Sequence, residues 1–273
     1  MSQDAAPDHG SASTGLVRVL RHDAGVAEIV LDRPEAMNAV STAMARALSE
    51  AARGLAVDAT TRAVVVSSSH PKAFCVGADL KERNLLTDEE LRAQRPGNRA
   101  AYGSILELPV PVVAAVAGYA LGGGCEIALS CDVIVASPGA TFALPEVSVG
   151  VIPGGGGTQL LPRRIGWSRA ADLIFTARRV DGTEALALGL ADRVVEDPRA
   201  TALELAATIA THSPVGVRNA KAAMRDGMDV SLAEGLDVED ARWHDTAFSA
   251  DRAEGVAAFA EKRRPRWPGL SGR

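Results

Sequence analysis

Short apolar runs and longer amphipathic stretches alternate along most of the chain. Two β-like runs at 16–20 and 26–31 flank the turn-like segment RHDAG. Ser41 can cap a helix that follows, and Gly54 is expected to mark its end. The apolar face of this helix, at helical spacing, consists of Met44, Leu48, Ala51 and Leu55. The pattern thus predicts two strands followed by a helix.

The same alternation of strand and helix continues through the middle of the chain. Apolar strand-like runs occur at 63–66, 109–116 and 132–136, and helical stretches are predicted at 89–107 and 126–131. Continuous apolar strands, rather than strands with alternating polar positions, are typical of sheets buried on both faces. The pattern therefore predicts an α/β fold with largely parallel strands.

Strand signals stop near residue 199. Four helices are predicted beyond it, at 203–211, 214–227, 231–246 and 251–261, with Pro214 in a first helical turn and Asp251 as a cap. We therefore predict three regions. They are a disordered polar leader at 1–15, an α/β core at 16–198 and a helical carboxy-terminal module at 199–273.

Composition narrows the class of protein. The formal net charge is -5 over 273 residues, which argues against a general nucleic-acid binder with a basic face. Cys75, Cys125 and Cys131 are too few for a disulfide framework or a zinc site, and they suggest a reducing compartment. The amino terminus does not have the pattern of a secretory signal, and no apolar run is long enough to span a membrane. A soluble cytoplasmic protein is the expectation.

Three segments combine glycine with carboxylates or strand ends: AFCVGADLKER at 73–83, GYALGGGCE at 118–126 and LPEVSVGVIPGGGGTQ at 144–159. Glycine lets the backbone approach a ligand closely, and the first amides of a helix are free to hold a negatively polarised oxygen. A tight turn against a neighbouring strand explains the 122–124 glycines about equally well. Dinucleotide and phosphate-loop motifs do not fit, because position 127 is Ile, position 159 is Gln and no GKS or GKT follows.

Glu126 and Glu146 are the candidate chemical groups. Two carboxyl groups in one apolar pocket can divide acid and base work if their surroundings separate their pKa values. Alternatively, Glu126 is a helix-dipole partner and Glu146 a solvated loop carboxylate. Cys125 is expected to pack in the core rather than to act as a nucleophile. No metal site is expected, since the five histidines are scattered.

In this order, the three segments resemble the signature of the crotonase, or enoyl-CoA hydratase/isomerase, superfamily. The resemblance runs from about residue 16 to 267 and includes LDRPEAMNAV at 31–40, PVPVVAAVAGYALGGGCEIALSCD at 109–132 and AFAEKRRPRW at 258–267. GADLKER, VIPGGGGTQ and RRPRW are most similar to hydratases of the methylglutaconyl-CoA type. The resemblance implies a spiral of repeated ββα units, followed by a helical module that builds homotrimers, often paired into hexamers.

The resemblance also implies an activity, the reversible syn addition of water across the 2,3-double bond of a short or branched enoyl-CoA, as in lipid metabolism. The backbone amides of Ala78 and Gly123 would form the oxyanion hole. Glu126 would deprotonate the attacking water, and Glu146 would protonate the α-carbon. Contacts to coenzyme A or the acyl group are implied for Ala36, Met37, Ala39, Lys72, Phe74, Gly77, Asp79, Leu80, Gly122 and Pro145.

Two details qualify these contacts. Met37 stands where relatives often carry a basic residue, so a phosphate contact there is open. Coenzyme A is part of the substrate, and no further cofactor is expected.

The sequence also allows three alternatives: an enoyl-CoA isomerase of the same fold, an RNA-binding homologue and a non-catalytic homologue. Both glutamates are present, which favours a hydratase over an isomerase and over a non-catalytic protein. Methylglutaconyl-type relatives in animals bind RNA through a lysine-rich helix. The matching helix at 41–57 carries only Arg46 and Arg53 as cations, together with Glu50, so no nucleic-acid partner and no membrane partner is expected.

Overall fold

The fold is described from a computed structural model, over residues 12–13 and 15–269. Strands and helices alternate as the apolar pattern predicts, and most strands of the central sheet are parallel. The α/β prediction is therefore confirmed. Within the described residues no helix is long and apolar enough to cross a membrane.

Over that part of the chain, the larger sheet has seven strands. They are β1 (Ala12–Ser13), β2 (Val17–Arg21), β3 (Val26–Leu31), β4 (Ala63–Ser68), β6 (Val112–Val116), β8 (Val133–Ala136) and β11 (Arg193–Val194), side by side in that order. The smaller sheet has the order β10 (Val180–Asp181), β9 (Thr141–Ala143), β7 (Tyr119–Leu121) and β5 (Ala73–Cys75). Three successive pairs, β4–β5, β6–β7 and β8–β9, each place one strand in each sheet. This alternation is the repeated unit of the spiral.

Helices follow or cover these strand pairs. They are α1 (Thr42–Val57), α2 (Leu80–Arg83), α3 (Asp88–Leu106), α4 (Gly123–Leu129), α5 (Gly157–Ile165), α6 (Trp167–Thr176), α7 (Gly182–Leu188), α8 (Pro198–Ala210), α9 (Pro214–Gly227), α10 (Leu232–Ala247) and α11 (Ala250–Ala260). The predicted stretches 89–107 and 214–227 match α3 and α9. The short β5, β7, β9 and β10 and the helices α5 to α7 were not predicted.

The strands of the larger sheet are apolar throughout because both of their faces are covered. In β4, Val64 and Val66 face the main core, whereas Ala63 and Val65 belong to a second apolar cluster. That second cluster lies under α8. Since side chains alternate between the two faces of a strand, one continuous run supplies both clusters.

By its packing, α8 belongs with the sheet. Its side of the sheet carries Glu28, which is fully buried in β3. Arg199 of α8 donates to both Glu28 oxygens at 2.7 Å, and Ser67 donates to Oε1 at 2.6 Å. The predicted boundary at 198/199 therefore separates α8 from the sheet that it covers, and the helices beyond the sheet begin with α9.

Helix ends show where local signals succeeded and failed. Ser41 caps α1 by accepting from the Met44 amide at 3.2 Å, as predicted. Gly54 does not end α1, which runs to Val57. The backbone of Gly54 does not adopt the left-handed conformation that is common for a glycine just beyond a helix end. The buried side chain of Leu55 holds the last turn of α1 in place. Helix α4 begins at Gly123, three residues before the predicted start.

Asp251 is not the cap of α11. Ser249 caps that helix. Asp251 is buried, and its Oδ2 accepts from the Ser213 hydroxyl at 2.7 Å while its Oδ1 accepts from the Gly269 amide at 2.8 Å. Its carboxyl therefore ties α11 to the start of α9 and to the chain beyond α11.

The predicted disordered leader is wrong for residues 12–13. They form β1, which pairs antiparallel with β2. Backbone pairing at a sheet edge needs no particular side chains, so the polar composition did not reveal it. Residues 1–11 and 14 lie outside the described residues, as do residues 270–273 of the predicted carboxy-terminal module.

Candidate active site

Three chain segments meet at one edge of the smaller sheet. Its strands β5, β7 and β9 are parallel. The segments that leave their carboxyl ends therefore emerge at the same edge. These segments are 76–79, 122–126 and 145–146. Sequence reasoning named all three, and the pairing of the short strands brings them together.

A cavity of about 680 Å³ opens at this edge. The predicted site residues that line it are Gly77, Ala78, Leu80, Gly122, Gly123, Glu126, Pro145 and Glu146. Ala36, Met37, Ala39 and Lys72 do not line it, and their predicted contacts with coenzyme A stay predictions.

Phe74 and Asp79 do not line the cavity either, and their predicted ligand contacts also stay predictions. Phe74 is fully buried in the main core. Asp79 is buried at the start of α2, where Oδ1 accepts from the Lys81 and Glu82 amides and Oδ2 accepts from Arg33 at 2.7 Å. The Arg33 guanidinium lowers the pKa of Asp79. The Asp79 carboxyl therefore fixes the start of α2 beside the cavity.

Two backbone amides on the cavity wall have no partner in the described chain. Gly123 begins α4, and the first amides of a helix have no intrahelical acceptor. Ala78 lies beside Val40 in a short β-bridge, but its own amide is not used there. The two hydrogen bonds of the bridge run from the Val40 amide to the Gly77 carbonyl and from the Asp79 amide to the Val40 carbonyl. The two amides are therefore available to an oxygen in the cavity.

The loops that carry these amides are in close contact. Gly77 has a φ of 92°, a conformation that favours glycine. A methyl group added there would lie 3.1 Å from the Gly123 nitrogen and 2.7 Å from the Leu121 carbonyl oxygen. Glycine at position 77 is therefore what allows the segment of Ala78 to lie against the start of α4.

Glu126 lies in the first turn of α4 and is only 2% exposed. Its Oε1 accepts from the Gly155 amide at 2.6 Å and from the Gly157 amide at 2.9 Å. A methyl group on Gly155 would come within 2.7 Å of Oε2, so the glycine run lets the backbone reach this carboxyl. Burial raises the pKa of Glu126, and the two amides oppose that rise.

Glu146 lies directly after Pro145, in a 3₁₀ turn that follows β9. Its carboxyl is half-buried, and Oε2 is shielded from solvent without a hydrogen-bond partner in the described chain. The missing side chain of Gly122 makes room for it, because a methyl group there would lie 2.9 Å from Oε1. Burial, together with the charge of Glu126, raises the pKa of Glu146 from 4.5 to about 7. The two carboxyl groups therefore share one cavity and differ in their surroundings.

One face of α3 forms the opposite wall, which sequence reasoning missed. Its cavity-lining residues recur at helical spacing and are Leu91, Gln94, Arg95, Asn98 and Tyr102. Tyr102 is buried beside Gly123 and Gly155. Burial and the charge of Glu126 raise its pKa, so it keeps its proton. The helix itself was predicted, but its mixed polar and apolar face resembles an ordinary solvated helix.

The prediction that Cys125 packs in the core is confirmed. Its side chain is 2% exposed and belongs to the main apolar cluster. Burial raises the pKa of its thiol, so a reactive thiolate is disfavoured.

Comparison with known proteins agrees with this architecture. The model of the enoyl-CoA hydratase/isomerase family matches residues 21–270.

The chain belongs to the enoyl-CoA hydratase/isomerase family.

Human mitochondrial methylglutaconyl-CoA hydratase is 43% identical over 251 residues, which cover 90% of this chain and 74% of that protein. Among solved structures, an enoyl-CoA hydratase from Bacillus anthracis superposes with a TM-score of 0.90 at 39% identity, covering 92% of this chain and 98% of that one. An enoyl-CoA hydratase from Mycobacterium smegmatis superposes with a TM-score of 0.85 at 34% identity, covering 92% and 98%. The predicted family and the crotonase-type fold are confirmed.

Proposed function

We propose that this member of the family is an enoyl-CoA hydratase, which adds water reversibly across the 2,3-double bond of an enoyl-CoA thioester. The observation that carries the proposal is the shared cavity. It holds two carboxyl groups in different surroundings and two backbone amides without partners in the described chain. A hydration needs both kinds of group.

The amides of Ala78 and Gly123 hold the thioester oxygen. Attack of water at the β-carbon pushes electrons through the α-carbon to that oxygen, which becomes an enolate. Donors fixed before the reaction stabilise this developing charge, and removing one such donor in other enzymes costs about 2.7–4 kcal/mol. A backbone donor needs no reorganisation when the charge forms.

Glu126 and Glu146 divide the proton transfers. Ionised Glu126 takes a proton from water as the water oxygen bonds to the β-carbon, and protonated Glu146 gives its proton to the α-carbon. Glu126 is then protonated and Glu146 ionised, and proton exchange with water restores both. The pKa of about 7 at Glu146 supports its role, because a group with that pKa carries a proton in a large share of molecules at neutral pH.

The acyl group is proposed to be short or branched, as in methylglutaconyl-CoA. This rests on the 43% identity with the human methylglutaconyl-CoA hydratase. Apolar side chains line the cavity mouth and suit a thioester's aliphatic arm. They are Leu80, Val149, Val151 and Ile152.

Homotrimers, paired into hexamers or not, are the proposed assembly. An exposed apolar groove between α9 and α10 supports it, lined by Met224, Met228, Leu232, Leu236 and Trp243 among others. Such a patch on a small protein usually marks an interface.

Cytoplasmic localisation is proposed from the free cysteines Cys75, Cys125 and Cys131, which fit a reducing compartment.

Replacement of each glutamate tests the function. Glu126→Gln and Glu146→Gln should each lower kcat for crotonyl-CoA hydration by roughly 10²–10⁴-fold, since each loses one proton transfer. Hydration is followed as loss of absorbance of the conjugated thioester. Glu89→Gln, on the exposed part of α3, is the control and should retain activity. Near-normal turnover in either variant would contradict the proton-transfer role assigned to that glutamate. Shift of the double bond without water addition would instead favour an isomerase.

A further inference from the structure

One peptide group in the cavity wall is held at both of its ends. It joins Gly154 to Gly155, and both residues line the cavity. Its carbonyl oxygen accepts from Nη2 of Arg95 at 2.7 Å, and its amide donates to Oε1 of Glu126 at 2.6 Å. A guanidinium on α3 is therefore linked to the carboxyl of Glu126 through a single peptide group.

Glycine is needed on both sides of this peptide. A methyl group on Gly155 would lie 2.7 Å from Oε2 of Glu126, and one on Gly154 would lie 3.0 Å from Nη1 of Arg95. The same lack of side chains leaves the peptide free to turn over, because glycine accepts backbone conformations that other residues avoid. The hydrogen bond from Arg95 opposes that rotation at the carbonyl end.

The orientation of the peptide matters for the protonation of Glu126. In the observed orientation its amide points at the carboxyl and stabilises the ionised form. After a turn, the carbonyl oxygen would face the carboxyl and could accept only from the protonated form. A charged donor also makes a stronger hydrogen bond than a neutral one, and it polarises the next bond in the chain. Arg95 therefore favours the ionised carboxyl in two ways.

The charges around Glu126 agree with this direction. Burial raises the pKa of Glu126, the Gly157 and Gly155 amides oppose the rise, and the charges of Arg95 and Arg83 oppose it further. The other ionisable groups near Glu126 are Glu146 across the cavity, the Tyr102 hydroxyl of α3, and the buried thiols of Cys75 and Cys125. Burial raises the pKa of Tyr102 and of both thiols, so these three groups keep their protons. Arg95 differs from Arg83 because it also donates to the peptide that contacts Glu126.

We propose that Arg95 is a positioning residue for the base of the reaction: it holds the Gly154–Gly155 peptide with its amide toward Glu126 and so keeps Glu126 ionised when water binds. The proposal rests on the hydratase function and deepens it. Arg95 then acts on proton removal from water rather than on the affinity for the substrate.

Arg95→Gln tests the proposal in crotonyl-CoA hydration. The limb of the kcat/KM profile at lower pH reports the ionisation of Glu126 and should move up by about one pH unit. Below that limb kcat should fall about tenfold, with KM nearly unchanged, since one pH unit is a tenfold change in proton affinity. Arg95 is exposed, so its replacement leaves no buried gap and the fold should persist.

Two further variants separate the hydrogen bond from charge alone. Arg95→Lys should recover part of the loss, because an ammonium group can donate to the same carbonyl. Arg92→Gln is the matched control, since it removes the same charge from the exposed part of α3, outside the cavity. Neither limb of its profile should move.

Infrared titration of the Glu126 carboxyl, assigned by loss of its signal in Glu126→Gln, measures the same effect without turnover. In Arg95→Gln the carboxyl should titrate at higher pH than in the wild type. An unmoved titration, or an equal shift in Arg92→Gln, overturns the proposal. A higher KM with an unmoved pH profile also overturns it and makes Arg95 a substrate-binding residue. A wild-type protein that does not hydrate crotonyl-CoA overturns the hydratase function instead, and the titration then still decides whether Arg95 controls the protonation of Glu126.

Discussion

Replacing Glu146 by glutamine should stabilise the fold, and the gain should depend on pH. Burial and the neighbouring charge of Glu126 raise the pKa of Glu146 from 4.5 to about 7. The folded state therefore disfavours the ionised carboxyl, whereas the unfolded chain ionises it freely above about pH 4.5. Stability is lost as the pH rises through 4.5, and the loss is complete above about pH 7. Glutamine has no charge to desolvate and escapes this loss.

The size of the gain follows from the same pKa values. A tenfold change in proton affinity corresponds to about 1.4 kcal/mol. If the whole difference between the folded and unfolded pKa of Glu146 acted on stability, the free energy of unfolding would change by about 3 kcal/mol above pH 7. The Glu146 carboxyl is only half-buried, and water screens part of the effect. We therefore expect about 1–2 kcal/mol at pH 8 and under about 0.5 kcal/mol at pH 5.

Urea unfolding at these two pH values measures the gain, with all proteins at one concentration because assembly would shift the midpoint. Glu89→Gln, on the exposed face of α3, is the matched control and should change stability little at either pH. A loss of stability at pH 8 in Glu146→Gln, or an equal change at both pH values, would refute the idea that the cavity disfavours this charge. The variant should also be nearly inactive, so that stability and catalysis move in opposite directions.

Three further outcomes are expected. The kcat/KM for hydration should fall as the pH rises through about 7, because Glu146 must carry a proton to donate it; a flat profile from pH 6 to 9 would contradict that role. Gly77→Ala should lower both turnover and melting temperature, since its methyl group would lie 2.7 Å from a backbone oxygen. In Gly97→Ala, the added methyl group on α3 meets no described atom within 4 Å, so this variant should gain about 0.5–1 kcal/mol in thermal unfolding. Arg199→Met should cost about 3 kcal/mol in urea unfolding, because it removes the main partner of the fully buried Glu28; an unchanged midpoint would show the pair to be dispensable.

The glycines of the site have separate tasks, which explains their clustering. Gly77 and Gly122 bring two loops into contact and leave space for Glu146. Gly155 and Gly157 bring amides to Glu126. Each position therefore places a donor or a carboxyl where a side chain would block it.

Local patterns determined the fold class and several elements. Apolar residues at successive positions of β4 predicted a strand covered on both faces, and the helical period over 89–107 predicted α3. Ser41 predicted the start of α1. These signals are readable because strand and helix periods, and capping, depend on residues only a few positions apart.

Elements that depend on distant partners were not readable. Strands β5, β7 and β9 have three residues each, and only their pairing makes them strands. By local chemistry alone, Gly54 fits the end of a helix as well as it fits a helix interior. The helix continues beyond it because Leu55 is buried in the core. Asp251 fits a cap, yet its carboxyl reaches the start of α9.

The residue types alone predict which groups are available at the site: two glutamates, and glycines that free backbone amides. The arrangement of these groups depends on the folded chain. Parallel pairing of β7 with β9 brings Glu126 and Glu146 to one edge, and α3 closes the cavity with Arg95 and Tyr102. A residue's type limits the chemistry it can perform, but burial and neighbouring charge set its pKa, and both come from chain segments far away in the sequence.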